Sequence, residues 1–396
     1  MSEALRSTIP SLDDRVVEAT VSWSDPPAAH VHGAGHPGAR TPDASEDEED
    51  AHLVAAMAAA ALGAAEARSR FAEGMSLNAR KVAVDGAATR AAEKILDKAP
   101  FRIRVAAGEG ERDDSPGART GQWLGPRDDA LPVVDGVFDY VDGTELAATD
   151  QPGALTLGGF GTGVRPVPDL QAYAVLAPVD LLHGLDIRPR PEDSVIPVLD
   201  RIAKAMRKNP GALTVSTHSI ASKPMHSDLI ALMRGQGSEV LVPESVTVEP
   251  PYLLSLIGLS EPRIDTMIGA IGLSELAFAA GLVDLIAPEL GFVFRVASVA
   301  GPRAEPHLTN LDALFKFSED EEVALGSGGW DKDRQYTSSD LVRPGSSRAA
   351  ALFAVTDNPT LGIRGPDLKE EGVIHVEGFL VKPAAKVGRI RLGYRR

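Results

Sequence analysis

Residues 137–144 read VFDYVDGT. Val137 and Phe138 belong to the run LPVVDGVFDYV over 131–141, whose apolar character is that of a buried strand. Asp139 and Asp142 then set two carboxylates three residues apart at its end, and Gly143-Thr144 turns the chain. Alone, an Asp-Gly pair is an ordinary turn-former. Other acids share the pattern: Asp85 in KVAVDGAA, Glu109 and Glu111 in GEGERD, and Glu275 in GLSE. All of these but Asp85 fall at element ends beside glycine or small residues. Each has a plain reading by itself. Glu109-Gly-Glu111 fits a solvated loop, Asp85 a water-facing helix position, and Glu275 a first-turn glutamate favoured by the helix dipole. Together they offer carboxylate oxygens from separate elements, a donor type that suits hard divalent cations such as Mg²⁺. Two such ions about 3.5–4 Å apart stabilise in-line displacement at phosphorus.

Composition narrows the chemistry. At 396 residues the chain can form two domains or one large layered α/β domain. Cysteine is absent, which removes disulfides, thiolate metal sites and cysteine nucleophiles together and suits a reducing cytoplasm. A formal charge of -16 repels phosphate backbones and argues against a nucleic-acid partner. It also means that a phosphorylated substrate must find strong local positive charge. No apolar run reaches the roughly 18 residues of a membrane span, and no basic-then-apolar signal opens the chain. The alanine-rich stretch Leu53 to Ala65 reads as a core-facing helix. A cytoplasmic protein with no membrane partner is the expectation.

Residues 1–48 stand apart. PPAAHVHGAGHPGARTP followed by SEDEED is too rich in proline, glycine and acid to bury an apolar core, and reads as a disordered tail. His30, His32 and His36 could bind a transition metal there, although an incidental cluster is the plainer reading. Residues 49–185 form an expected metal-binding α+β half. It holds helices over 51–73 and 82–96, strands at FRIRVAAG and LPVVDGVFDYV, and GALTLGGFGTG with LQAYAVLAP as paired strands. Residues 186–396 form a second α/β half that completes the site. Helix 193–207, strand ALTVST, helix 226–236, strand EVLVP and a helix from Pro251 lead to strand DTMIGAIG and helix SELAFAAGLVDLI. The charged, glycine-rich stretch 319–340 reads as a loop, and AALFAVTD, GVIHVEGFLV and VGRIRLGY as closing strands.

The motifs Lys81-x-x-x-Asp85-Gly-Ala-Ala, Gly108-Glu-Gly-Glu-x-Asp113, Asp139-x-x-Asp142-Gly-Thr144 and Gly269-x-x-Gly272-x-x-Glu275 occur in this order. With DQPGAL, LTVSTHSIASKPMH and LFAVTDNPTLGI they give a chain that resembles the class II fructose-1,6-bisphosphatases. These belong to the metal-dependent, lithium-sensitive sugar and inositol phosphatase superfamily. The resemblance covers about 50 to 396 and implies an α/β fold, a layered αβαβα sandwich with the site between its halves. It implies that Asp85 and Glu109 bind one metal and that Asp139, Asp142 and Glu275 bind another, with two or more Mg²⁺ or Mn²⁺ ions per site. Asp142, Gly143, Thr144, Lys223 and Gly272 match phosphate- or substrate-binding positions. Asp85, Glu111, Asp113 and Thr144 match catalytic ones, Thr144 orienting the water and Glu111 and Asp113 assisting it. The implied reaction is hydrolysis of a sugar or cyclitol phosphomonoester by direct attack of metal-activated water, in a homodimer or homotetramer. Two divalent ions would return about four positive charges to the pocket of this acidic protein.

The substrate end departs from the family pattern. Its Lys-Pro-Arg is Lys223-Pro224-Met225 here, its Asp-Gly-Asp is replaced by Glu244-Ser245-Val246, and Gln171 stands where a tyrosine is expected, with Tyr173 two residues on. Arginine replaced by methionine removes a bidentate anion contact. A sugar or cyclitol phosphate other than fructose 1,6-bisphosphate is the resulting expectation. The alternatives are a fructose 1,6-/sedoheptulose 1,7-bisphosphatase proper, an inositol- or nucleotide-type phosphatase, or a binding protein that keeps the fold. Lys223 reads equally as substrate contact or surface lysine. His218 and His226 read as structural, and Trp123, Trp330 and Tyr336 as core.

Overall fold

Two mixed sheets organise the chain in the computed structural model, which describes residues 7–9, 11–24, 44–108, 117–217, 224–243, 249–369 and 371–396. The first strands in chain order are β1 (Val16–Ser24), β2 (Arg102–Gly108), β3 (Trp123–Leu124), β4 (Val133–Asp142), β5 (Leu155–Gly161), β6 (Gln171–Pro178) and β7 (Thr214–Ser216). There follow β8 (Glu239–Leu241), β9 (Thr266–Gly272), β10 (Leu290–Ala297), β11 (Gln335–Thr337), β12 (Ser347–Ala354), β13 (Val373–Lys382) and β14 (Lys386–Arg395). Sheet one has the order β1-β14-β13-β12-β5-β4-β2-β3, and sheet two β11-β10-β6-β9-β7-β8. Sheet one is antiparallel except for β2–β4, whereas β7 runs parallel to both β8 and β9 in sheet two.

The helices are α1 (Ala44–Arg68), α2 (Leu77–Leu96), α3 (Thr144–Thr149), α4 (Val195–Ala205), α5 (Ser227–Gly235), α6 (Pro250–Leu254), α7 (Leu273–Ile286), α8 (Ala300–Ala304), α9 (Glu319–Ser327) and α10 (Ser338–Leu341). Alanines of α1 are buried on nearly every side, because α2 covers one flank and sheet one the other. A helix apolar all round belongs in such a place. Serine 76 caps α2, its hydroxyl accepting the Ala79 N–H at 3.3 Å. Helix α7, apolar around its circumference, lies between the sheets and touches strands of both. On the outer face of sheet two, α4 and α5 enclose a third core with Val175, Ile268 and Val293. The layers thus run α, β, α, β, α, the sandwich that the sequence led us to expect.

Charged groups also fasten α1 to sheet one. Lys382 on β13 donates to Asp50 at 2.7 Å with both side chains buried, and Arg348 on β12 pairs with Glu49. Burial pushes the Asp50 carboxyl up to about 6, the Lys382 ammonium offsetting only part of that cost.

Several sequence expectations are altered. The tail read over 1–48 contains an ordered strand: VVEATVSWS alternates, with Val16 and Val21 buried, and β1 pairs with β14. Its β-branched spacing was obscured by the proline- and glycine-rich composition after it. The first helix begins at Ala44 and ends at Arg68 rather than spanning 51–73. Strands β5 and β6 do not pair with each other. The linker between them holds Pro166 and Pro168 and carries the chain from sheet one to sheet two, so β5 pairs with β4 and β12 while β6 pairs with β9 and β10. The loop expected over 319–340 contains α9, which has a capping box at Ser318 and Glu321, as well as β11 and α10. The halves expected over 49–185 and 186–396 share sheet one, since β12, β13 and β14 return to it. His30, His32 and His36 lie outside the described residues.

Candidate metal and phosphate site

Along a regular strand, residues three apart face opposite ways. Asp139 pairs with Leu157 and Asp142 with Leu155, so three steps on β4 match two on β5. This bulge adds one residue and lets both acids turn toward the same side. The Asp139 carboxylate accepts the Val141 N–H at 3.0 Å, which holds the bulge in shape. The chain then turns at Gly143, whose φ of 78° is left-handed backbone that glycine adopts without steric penalty. Helix α3 starts directly after it, with no side-chain cap over its first amides. Thr144 donates its hydroxyl to the Val141 carbonyl at 3.0 Å.

From sheet two, β9 runs straight into α7 through Gly272. Glu275 sits in the first turn of α7, and its Oε2 accepts from the Ser274 hydroxyl at 3.0 Å. The carboxylate folds back over Gly272, where any Cβ would collide with it. Glu249, immediately before α6, is buried, and α6 packs on α7. Strand ends from both sheets therefore converge on one acidic place.

Asp142 feels that convergence most. Burial raises its pKa well above the carboxylate range, and the charges of Asp139, Glu249 and Glu275 push it further. The Gly143 N–H counteracts them in part. Its Oδ2 is buried without a hydrogen-bond partner. Such an atom is costly unless something cationic or a proton meets it.

The predicted residues divide as follows. Asp139, Asp142 and Glu275 are brought within electrostatic reach around Gly143, with Thr144 and Gly272 at the adjoining helix starts. Asp85 is buried on α2, which packs against α3 and β4. Glu109, Glu111, Asp113, His218, Lys223, Glu244, Ser245 and Val246 lie outside the described residues. Among the described residues, no group of three or more acidic, histidine or cysteine side chains is arranged to hold a metal ion. Buried His226 accepts the Ala270 N–H of β9 at 3.1 Å through Nε2, a structural bond of the kind expected for it. Trp330 and Tyr336 are core, their rings 4.8 Å apart, whereas Trp123 is 50% exposed and covers the Arg102 guanidinium.

Sequence reasoning missed two residues. Glu249, in VTVEPP, shows no local pattern; only its burial beside Asp142 marks it. Gln171 was noted solely as a departure, yet it is paired in register with Gly272, and its Oε1 is buried without a partner. Tyr173, two residues on, is buried in the sheet-two core.

Two mixed sheets around a central helix, with acids gathered where their strand ends meet, define a layered α/β protein built around an acidic junction site. Residues 50–390 match the family of bacterial fructose-1,6-bisphosphatases, glpX-encoded, and the chain belongs to that family. Three curated relatives bear the name D-fructose 1,6-bisphosphatase class 2/sedoheptulose 1,7-bisphosphatase. Those of Prochlorococcus marinus strains NATL1A and AS9601 are 26% and 29% identical over 163 residues, 41% of this chain and 46% of theirs. That of Parasynechococcus marenigrum strain WH8102 is 27% identical over 158 residues, 39% of this chain and 45% of its own. The chain thus spans about half the length of the curated relatives it matches. Among the described residues no helix is long and apolar enough to cross a membrane.

Proposed function

We propose that the protein is a divalent-metal-dependent phosphatase that hydrolyses a phosphomonoester of a sugar or cyclitol phosphate. The observation that carries this reading is Asp142: a buried carboxylate with an unpartnered oxygen, pressed by Asp139, Glu249 and Glu275 beside a glycine turn. Hard carboxylate oxygens with unmet demand for positive charge fit Mg²⁺ or Mn²⁺. Asp139, Asp142 and Glu275, which are not drawn together as a ready-made metal cluster, would have to close around one ion, and Asp85 with Glu109 around another. When bound, such ions neutralise phosphate charge and make a water nucleophilic near neutral pH.

The remaining work falls to the chain. Gly143 and the uncapped amides that open α3 would seat phosphate oxygens. The Thr144 hydroxyl has spare acceptor capacity beyond its bond to Val141 and would orient the attacking water. Glu111 and Asp113 would assist proton removal, and Lys223 would touch the substrate. Catalysis of this kind is chiefly positioning and electrostatic stabilisation.

A substrate other than fructose 1,6-bisphosphate is favoured by Met225, which packs against the sheet-two core rather than offering a guanidinium. The names of the relatives favour the second reading, a fructose 1,6-/sedoheptulose 1,7-bisphosphatase. Phosphate release from a panel of sugar mono- and bisphosphates, with Mg²⁺, Mn²⁺ or chelator, decides between them. We expect metal-dependent turnover with a monophosphate preferred. Best turnover on a bisphosphate would install the second reading, and no release from any member would remove both.

A further inference from the structure

At the far end of α3 from Gly143 the surface closes into a cavity of about 870 Å³. Its walls come from the end of α1, the turn after α3, the segment following β12, and the chain around Arg15 and Arg395. Arg15, Arg68, Arg70, Lys369, Arg395 and Arg396 all line it. Against four acids in the same walls, Glu66, Asp150, Asp357 and Asp367, these six cations leave a local excess of positive charge in a chain of formal charge -16.

The acids in the same walls are already engaged. Glu66 meets Arg15 at 3.3 Å and Arg70 at 3.9 Å, and Asp150 meets Arg68 at 3.2 Å. Asp357 accepts the Gly365 N–H at 3.0 Å, and Asp367 the Lys369 N–H at 2.8 Å. Among the described residues, Lys369, Arg395 and Arg396 make no ion pair. Helix α1 enters by its carbonyl end, so side chains rather than helix amides supply the attraction. Guanidinium forks match phosphate oxygens in pairs, and the volume suits a small molecule.

We propose that this cavity is a second anion site, taking a small molecule with one or more phosphate groups, and that it binds without a metal. The last feature separates it from the acidic junction, which repels phosphate unless cations are bound there. The test is calorimetric titration of the full chain in chelator and low salt, with inorganic pyrophosphate and with glucose 6-phosphate as probes. One saturable equivalent of either is expected, and the tighter probe tells a polyphosphate from a phosphate ester. Replacing Lys369 and Arg395 together by alanine should weaken binding at least about tenfold, as loss of charge-assisted contacts requires. Asp139→Asn should leave binding unchanged. If the alanine pair unfolds, Arg395→Lys with Lys369→Gln serves instead, its thermal midpoint confirming the fold. Absence of saturable binding, binding indifferent to these substitutions, or equal affinity for citrate would overturn the assignment.

Discussion

Replacing Asp142 by asparagine separates what the residue does for the fold from what it does for chemistry. Its carboxyl is raised by burial and by three neighbouring acids, so the charged form costs stability wherever no cation is present. In chelator at mildly alkaline pH, Asp142→Asn should therefore be as stable as the wild type or about 1 kcal/mol more stable. With metal, phosphate release should fall by several orders of magnitude. A variant that unfolds more readily in chelator yet keeps turnover would overturn this account. Asp50 gives a pH prediction outside the site. Its folded pKa of about 6 exceeds its ordinary value of 3.8, so its contribution to stability is present at low pH and lost as pH rises through 6. The stability of the wild type relative to Asp50→Asn should fall by about 1 kcal/mol from about pH 5 to about pH 7. Denaturant melts across that range read it directly. At this scale the sequence showed Asp139, Asp142, Gly143 and Thr144 as one group because they are neighbours in the chain. Glu249 was illegible because its significance comes from what folding buries beside it.

The strand bulge and the strand-to-helix junction show how elements aim side chains. Alternation alone would send Asp139 and Asp142 to opposite faces; the register shift against β5 corrects this. At the other junction, Glu275 can lie over Gly272 only while that residue has no side chain. Gly272→Ala should keep the fold, because the obstruction is the far end of a flexible glutamate, but should displace the carboxylate. The expected result is unchanged far-ultraviolet dichroism with Mn²⁺-induced thermal stabilisation reduced by about 1 kcal/mol or more. Full retention of that stabilisation would remove Glu275 from the proposed ligand set. Helix α7 was readable as a continuous apolar run, and β4 and β9 as strands, because burial on both sides leaves a dense apolar signal. The second partner of β5 was not readable, since hairpin logic favours neighbours such as β4 and its other neighbour β12 lies nearly two hundred residues on.

For the whole molecule, the distribution of charge matters more than its sum. Acids meet at the junction of the sheets, and the hollow beyond α3 carries more cations than acids, so the two ends of one short helix differ in the sign of their excess charge. Divalent cations should raise the unfolding temperature of the wild type and leave Asp139→Asn nearly unmoved; saturation a hundredfold above Kd corresponds to about 2.7 kcal/mol. Equal shifts in both proteins would mean that the ions bind elsewhere. The alternation of helical and extended patterns made an α/β chain legible and the layering came from the family resemblance, but the return of the chain to sheet one was not legible, because nothing local to residues 347–395 says which edge they seek. That return governs how the protein is made. During synthesis β1 emerges first, and β14, the strand between it and β13, emerges last. Until β14 emerges, β13 carries an open edge and β1 has nothing to pair with, so the hazard of sticking to a neighbouring chain belongs to the nascent polypeptide and falls once β14 is in place.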